Sequence, residues 1–214
     1  MYRPPHFSET RLDVLHGLIR SHSFGLLVSN GPHGPVADPL PFVLDDTAPG
    51  KGALKAHLSR ANPHWRIIEE YPDRPVLAIF QGAQAYVSPS WYETKRRTGK
   101  VVPTWNYAIV QVRGRAETFH DAHWLRDQIT QLTDIHESGR TEPWKVTDAP
   151  DDFVRAQIRG IVGLRIEIDD IEGKWKMSQN RPVDDRKGVA EGYDGDGRPE
   201  MAELLRKFSG LSDG

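Results

Sequence analysis

Two neighbouring segments of the chain combine aromatic rings, hydroxyls, amides and positive charge. They are YVSPSWY at residues 86–92 and VPTWNY at residues 102–107, with the basic run of Lys95, Arg96 and Arg97 between them. Flat rings beside hydrogen-bond donors and cations suit a planar, anionic ligand that is held by stacking, hydrogen bonds and ion pairing. Two ordinary strands with aromatic cross-strand pairs and a solvated basic loop would also explain these residues.

A second polar segment, AHLSRANPHW at residues 56–65, joins a predicted strand to a predicted helix. Such a junction presents free backbone N–H groups, and the segment adds a hydroxyl, a guanidinium and imidazoles, which together suit a phosphate. The alternative is that Asn62 only caps the helix while Arg60 faces water.

A third segment, KWKMSQNR at residues 174–181, follows the last predicted strand. Its lysines, arginine, hydroxyl and amides are enough donors for a second anion or for the polar edge of a heterocycle. Alone it is typical of a solvated strand end, and it gains weight because it shares its chemistry with the other two segments.

Other site types are less well supported. His120 and His123 lie three residues apart around Asp121, but zinc sites usually assemble three or four ligands, so we expect structural or surface histidines and no metal. The sequence contains no Gly-x-Ser-x-Gly elbow, no Gly-x-x-x-x-Gly-Lys loop and no Gly-x-Gly-x-x-Gly fingerprint. The glycine-rich stretch at residues 192–197 lacks the closing glutamate of a calcium loop.

The composition is that of an ordinary globular protein. The chain has 214 residues, 37% of them hydrophobic and 27% charged, which fits a chain that buries a substantial core. No segment approaches the roughly 20 apolar residues that span a bilayer, and the N-terminus lacks the apolar core of a secretory signal. The absence of cysteine excludes disulfides, thiolate nucleophiles and cysteine-based metal sites. A cytoplasmic location is therefore predicted.

The formal net charge of −2 bears on partners. Nucleic-acid binders usually carry a basic face, because neutralising phosphates supplies much of their affinity. The only dense basic cluster is the run at residues 95–97 with Lys100 nearby, and a solvated loop explains it equally well. Direct DNA binding is not predicted.

The predicted elements indicate one α+β domain. A first helix is predicted after an N-cap at Ser8, with Phe7 packing onto Leu12, and Asn62 and Pro63 should cap and open a second helix. Further helices are predicted over residues 121–135 and 150–161 and around residues 201–208. Strands are predicted over residues 24–29, 36–44, 53–58, 75–80, 83–88, 105–119 and 164–168. Short strands with helices at intervals favour a closed or partly open antiparallel barrel.

Taken in order, the polar segments resemble the PaiB family, described as FMN-binding negative transcriptional regulators. The resemblance is carried by Met1, Tyr2 and Phe7 and by residues 57–63, 86–92, 102–107 and 176–181. It extends from Met1 to about Asp185, so it implies an FMN-binding domain over residues 1–185 and a C-terminal extension over residues 186–214.

The resemblance implies an antiparallel split β-barrel with peripheral helices, similar to pyridoxamine-phosphate-oxidase-like proteins. It also implies FMN as the cofactor and a homodimer with flavin sites at the subunit interface. By analogy, one group of residues would lie on the phosphate side: His57, Ser59, Arg60 and Asn62. A second group would line the ring or ribityl chain: Ser88, Trp91, Thr104, Trp105 and Asn106. A third group would reach the same site from this subunit or its partner: Lys176, Ser178, Gln179 and Asn180.

Three functions are compatible with this reasoning. The first is a regulator or sensor that binds FMN without turning over a substrate; lacking a helix-turn-helix, it would act through a partner protein or a metabolite. The second is a flavoenzyme, in which FMN carries the redox chemistry. The third is a haem-handling protein with His57, His64 or His33 as axial ligand. No catalytic acid, base or nucleophile is predicted.

Overall fold

The computed structural model describes residues 1–211, in which eight strands and seven α-helices are found. The strands are β1 (Ser8–Glu9), β2 (Phe24–Gly31), β3 (Gly34–Pro41), β4 (Val43–Asp45), β5 (Ala53–Ser59), β6 (Val76–Val87), β7 (Thr104–Phe119) and β8 (Ile161–Lys176). The helices are α1 (Leu12–Ser21), α2 (His64–Glu70), α3 (Glu93–Thr98), α4 (Ala122–Glu137), α5 (Asp151–Ile158), α6 (Val183–Gly195) and α7 (Pro199–Ser209). No helix in the described part of the chain is both long and apolar enough to cross a membrane.

The strands form one sheet in the order β3-β2-β6-β7-β8-β5-β4, and β1 pairs with β8. The pairs β2–β3, β2–β6, β4–β5, β5–β8 and β1–β8 are antiparallel. Near the two ends of this path β3 approaches β5, although the two are not neighbours in the sheet. The sheet therefore curls as a partly open barrel does, in agreement with the predicted α+β, antiparallel architecture.

The chain divides into two compact units, and β6, β7 and β8 contribute residues to both. The first unit contains residues 1–11 and 81–110 and the chain from Glu172 onward. The second unit contains residues 12–80 and 111–171.

The core of the second unit follows from alternation along β5 and β8. Leu54 pairs with Ile166 and Ala56 with Leu164, and all four side chains are buried. On the other face of this strand pair, Gly163 makes room for α4. A Cβ at Gly163 would lie 2.3 Å from the ring of Trp124, so only glycine allows this close approach.

Gly114 lies within β7, and packing against β8 requires a glycine there. A Cβ at this position would lie 1.7 Å from the carbonyl oxygen of Glu167. Any side chain would therefore push apart the backbones of β7 and β8.

In the first unit, α6 packs on the turn that follows β6. A Cβ at Gly192 would lie 2.3 Å from the ring of Trp91, and one at Gly188 would lie 2.1 Å from the carbonyl oxygen of Trp91. Trp91 also meets the buried ring of Tyr193 edge to face at 5.3 Å. Two glycines one helical turn apart thus form a groove for one tryptophan.

Several predicted boundaries are wrong. Ser8 is not a helix cap, because Ser8 and Glu9 pair with Lys174 and Gly173 in β1, and the first helix begins only at Leu12. The carboxylate of Glu9 accepts the N–H groups of the two residues that follow it.

Residues 75–88 do not form two strands around Gly82. β6 is one continuous strand through this glycine, which keeps an extended backbone. The terminal helix around residues 201–208 is confirmed as α7, whereas α6 was not predicted.

Candidate functional site

Two large rings of the first unit remain half exposed where β6 ends and β7 begins. Trp105 is 53% exposed and Tyr86 is 47% exposed, and their rings meet edge to face at 6.2 Å. Val102 beside them is also exposed. Exposed aromatic rings next to polar groups are common at binding sites.

Lys176, the last residue of β8, is joined to the start of β7. Its Nζ donates to the hydroxyl of Thr104 and to the carbonyl oxygen of Trp105. Burial, followed by the nearby charges of Lys174 and Arg181, lowers the pKa of the Lys176 ammonium. The geometry therefore places a half-buried cation beside the exposed rings.

A buried polar pair lies in the same unit. Asn106 and Ser178 are both buried, and the Asn106 amide donates to the Ser178 hydroxyl over 3.1 Å. Ser178 has a φ of 61°, and among residues 1–211 it is the only residue other than glycine with a positive φ. Such a backbone costs on the order of 1–3 kcal/mol and is often found at functional sites.

The turn around Ser178 is held by the side chain of Gln179. Its Oε1 accepts the N–H of Met177 at 2.7 Å, and its Nε2 donates to the carbonyl oxygen of Trp175 at 2.6 Å. Gln179 thus shapes the turn, while Asn180 next to it is exposed.

Ser88 and Trp91 belong to the turn that follows β6, and this turn packs on α6. The Ser88 hydroxyl accepts the N–H of Ser90 at 3.2 Å, and Trp91 lines a cleft of about 600 Å³ between α3 and α6. The predicted basic run forms α3, where Arg97 donates to Asp184 at 3.0 Å and Arg96 to Glu93 at 3.2 Å. These arginines are therefore largely neutralised by neighbouring carboxylates.

In the second unit, Arg60 is committed to main-chain carbonyl groups. Its Nε donates to the carbonyl oxygen of Arg159 and its Nη2 to that of Ile161, both at 2.9 Å. Its Nη1 donates to Nδ1 of His120 at 3.2 Å. The guanidinium thus ties the end of β5 to the start of β8.

The other predicted phosphate residues also bond within the second unit. Nδ1 of His57 donates to Oε1 of Gln128 on α4 at 2.8 Å, and the Ser59 hydroxyl accepts the N–H of Ala61 at 3.3 Å. Oδ1 of Asn62 accepts the N–H of His64 at 2.9 Å, as a capping residue does, although α2 begins at His64 rather than at Pro63. Each of these side chains is hydrogen-bonded to a different part of the unit.

A Ser-His-Asp chain that sequence reasoning missed joins three elements of the second unit. Nδ1 of His64 donates to Asp38 at 2.7 Å, and its Nε2 accepts the hydroxyl of Ser29 at 2.6 Å. His64 has no exposed surface, so a substrate cannot reach the imidazole. The chain pins α2 to β2 and β3. No local pattern reveals it, because its members are far apart in sequence.

The histidines near α4 have structural partners. Asp121 caps the helix by accepting the N–H of Trp124 at 2.8 Å, His120 donates to Glu69 at 2.7 Å, and His123 pairs with Asp127 at 3.1 Å. Within residues 1–211, no group of three or more His, Cys, Asp or Glu residues is placed to hold a metal ion.

The structure thus brings together one subset of the predicted residues within the first unit: Thr104, Trp105, Asn106, Lys176, Ser178 and Gln179. In the second unit the predicted phosphate residues follow one another along the chain, but their side chains turn to separate partners.

Comparison with known proteins identifies the family. The family model described as "Putative FMN-binding domain" matches residues 1–170. The chain is 31% identical over 208 residues to the Bacillus subtilis protein named "Protease synthase and sporulation protein PAI 2", with 96% of each chain covered. It is 35% identical over 250 residues to an uncharacterized protein of Emericella nidulans, covering 100% of this chain and 99% of that one.

Two solved structures share the fold. The FAD and heme binding protein from Mycobacterium smegmatis matches with a TM-score of 0.59 at 18% identity, over 86% of this chain and 80% of that one. A conserved hypothetical protein from Mycobacterium tuberculosis matches with a TM-score of 0.59 at 13% identity, over 85% and 94%. The fold is the antiparallel split β-barrel with peripheral helices, and that prediction is confirmed.

Proposed function

Because the chain belongs to the family described as "Putative FMN-binding domain", whose cofactor is FMN, we propose that its flavin ring lies against Trp105 and Tyr86. The observation that carries this placement is the half-exposed pair of rings beside the Lys176 ammonium. Exposed rings offer a stacking surface, and a cation next to them suits an anionic planar ligand.

The polar groups near these rings fit the rest of the cofactor. Hydroxyl and amide groups match the hydrogen-bonding ribityl chain and ring edge of a flavin. We assign the ring and ribityl contacts to four residues of the first unit: Thr104, Asn106, Ser178 and Gln179. Contacts by Ser88, Trp91 and Asn180 remain predictions of the resemblance. The resemblance implies a phosphate site at His57, Ser59, Arg60 and Asn62, but their side chains are bonded to separate partners within the second unit.

We propose that the protein acts as a flavin-dependent sensor or regulator. When bound, FMN supplies one- and two-electron redox chemistry. Within the described part of the first unit the sequence places a single histidine, the exposed His6, so this unit contributes few candidates for the usual general acid–base group. The proposal takes its support from the Bacillus subtilis relative, which is named "Protease synthase and sporulation protein PAI 2".

Regulation would be indirect. The net charge is −2, and Arg96 and Arg97 of the basic run on α3 are paired with Glu93 and Asp184, which reduces the positive charge that this helix offers to DNA phosphates. The protein would act through a partner protein or a metabolite. An electrophoretic mobility assay should show no sequence-selective DNA binding.

An FMN-dependent oxidoreductase is the second candidate. The half exposure of Trp105 and Tyr86 favours it, because a small substrate could approach a flavin that lies there. Turnover of a reduced nicotinamide that depends on bound FMN would support this role over sensing alone.

A haem-handling role has less support. Both ring nitrogens of His64 are hydrogen-bonded, which leaves none to bind iron. His33 lies exposed in the turn between β2 and β3. One ring nitrogen of His57 is hydrogen-bonded to Gln128 on α4.

Substitution of Trp105 tests the flavin placement. We expect Trp105→Ala to weaken FMN binding about tenfold, since stacking of this kind contributes on the order of 1–1.5 kcal/mol. Flavin fluorescence quenching gives the affinity. The matched control is Trp144→Ala, because Trp144 is 48% exposed in the second unit. Equal affinity in both variants would reject the placement.

We further propose that two copies form a homodimer through the outer face of β3, β2 and β6. Phe24 and Leu26 point outward on β2, and the register sets Pro41 and Pro39 directly opposite them. On the other side Leu26 pairs with Ile79 of β6, so the apolar surface spans three strands. Prolines blunt the open edge of β3 against strand addition, which favours packing of one face on another. The placement of the flavin sites at the subunit interface stays a prediction.

A further inference from the structure

Three cations cluster where β8 ends in the first unit. Lys174 is 7% exposed; its Nζ donates to the carbonyl oxygen of Tyr2 at 3.1 Å and lies 5.3 Å from the ring of Tyr107. Lys176 and Lys174 share one face of the strand, since they are two residues apart. The guanidinium of Arg181 lies 4.7 Å from the ring of Tyr92.

None of these three cations has a carboxylate partner within residues 1–211. Among the described residues, the groups that face these cations are carbonyl oxygens, a hydroxyl and the faces of aromatic rings. Removing cations from water without a counter-ion is costly, and a lowered pKa of Lys176, caused first by burial and then by Lys174 and Arg181, is what such a cluster should show. A bound anion would relieve both effects.

We propose that the cluster of Lys174, Lys176 and Arg181 holds the phosphate of FMN. Lys176 and Arg181 contact the phosphate directly, and the buried Lys174 adds positive charge without touching it. The inference rests on the proposed function. Lys176 also donates to the main chain at Trp105, so the cluster adjoins the surface assigned to the flavin ring.

Arg60 is the rival phosphate ligand, and its geometry is less suitable. Three N–H groups of its guanidinium already bond to Arg159, Ile161 and His120. Two of these acceptors are main-chain carbonyl groups, which fix the guanidinium in a structural role. Arg60 would have to give up these bonds to hold a phosphate through both edges.

The test compares FMN with riboflavin, which has the same ring and ribityl chain but no phosphate. Affinities for both are measured by fluorescence titration for the wild type, Lys176→Gln, Arg181→Gln, Arg60→Gln and the control Lys100→Gln, an exposed lysine of the same unit. We expect Arg181→Gln to weaken FMN at least tenfold and riboflavin less than twofold. Because Lys176 also lies beside the ring, Lys176→Gln should weaken both flavins, with a loss for FMN at least tenfold greater than the loss for riboflavin. Arg60→Gln and Lys100→Gln should keep the wild-type ratio.

An unchanged ratio of FMN to riboflavin affinity in both Lys176→Gln and Arg181→Gln would overturn the inference, as would loss of that ratio in Arg60→Gln alone. Circular dichroism of each variant separates a lost site from a lost fold. A wild type that binds neither flavin would instead overturn the proposed function. Inorganic phosphate alone should raise the Tm of the wild type and not that of Lys176→Gln; no rise in the wild type would count against the anion site itself.

Discussion

His64 shows how a single polar side chain in this protein serves the fold rather than chemistry. It is fully buried, and both of its nitrogens are used, one by Asp38 and one by Ser29. The Ser-His-Asp order is that of a hydrolase triad, but a triad needs an imidazole that reaches the substrate. These hydrogen bonds therefore hold α2 against the hairpin formed by β2 and β3.

Replacing this imidazole tests the structural role. We expect His64→Leu to lower the free energy of unfolding by about 2 kcal/mol, because the Ser29 hydroxyl would be left buried without a partner. Urea unfolding followed by circular dichroism measures the change. His33→Leu, at an exposed turn position, should stay within about 0.5 kcal/mol of the wild type. Equal effects of the two substitutions would contradict the assigned role.

The site residues differ in how well they could be predicted. Thr104, Trp105 and Lys176 are found together because they lie at the ends of two long neighbouring strands. Arg60 carries a charge that suits a phosphate, yet its partners lie about a hundred residues away at Arg159 and Ile161, which no local pattern shows. Residue type indicates which chemistry is available, but long-range hydrogen bonds decide whether the group is free to use it.

At the level of elements, α6 shows why helix propensity failed. Gly188, Gly192 and Gly195 weaken the helical pattern, since each glycine costs up to about 1 kcal/mol relative to alanine. Tertiary packing explains the first two, which let the helix approach Trp91. The same packing cannot be read from a stretch that is otherwise polar.

Two glycines of the same helix give a matched test. Gly192→Ala should lower the free energy of unfolding by about 1–3 kcal/mol, because its Cβ would lie 2.3 Å from the Trp91 ring. Gly195→Ala has nothing within 4 Å and should be neutral or stabilising by up to about 1 kcal/mol. Thermal and urea unfolding of both variants measure the difference. If Gly192→Ala is as stable as Gly195→Ala, the packing of Trp91 into the groove is wrong.

Among the strands, β5 and β7 were predicted most closely, whereas the strand predicted over residues 36–44 is divided into β3 and β4 and the one predicted over residues 164–168 is much shorter than β8. The long alternating runs of β5 and β7 were identified because burial on one face repeats every second residue. β6 was divided at Gly82 because glycine is a common turn residue, although in the sheet it simply continues the strand. The predicted start of the first helix is too early. Serine is a common N-cap residue, but Ser8 lies in a strand and the helix begins at Leu12.

At the scale of the whole molecule, the outer face of β3, β2 and β6 is an apolar surface that a second copy would cover. Phe24 is 69% exposed there, next to Leu26. We expect Phe24→Glu to shift the protein from dimer to monomer, since a buried unpaired carboxylate is costly at an interface. Size-exclusion chromatography with light scattering measures the mass. Phe153→Glu is the control, because Phe153 is 55% exposed on α5. A dimer that persists in Phe24→Glu, or a wild type that is monomeric, would contradict the proposed face.

Family membership and fold agree with the chemistry of the first unit. The description of the family names FMN as the ligand. The described residues of the first unit present half-exposed rings, a buried amide–hydroxyl pair and cations without counter-ions. The exposed rings and the cations without counter-ions cost stability unless a ligand uses them. Together they favour flavin binding by the first unit.

Flavin binding is tested by the visible absorption spectrum of the purified protein, recorded before and after FMN is added. The pigment that the protein releases is identified in the same experiment. We predict a flavin spectrum at a stoichiometric level, with FMN as the released pigment. A protein that neither carries nor takes up flavin would contradict the account, because the rings and cations of the first unit would then have no ligand.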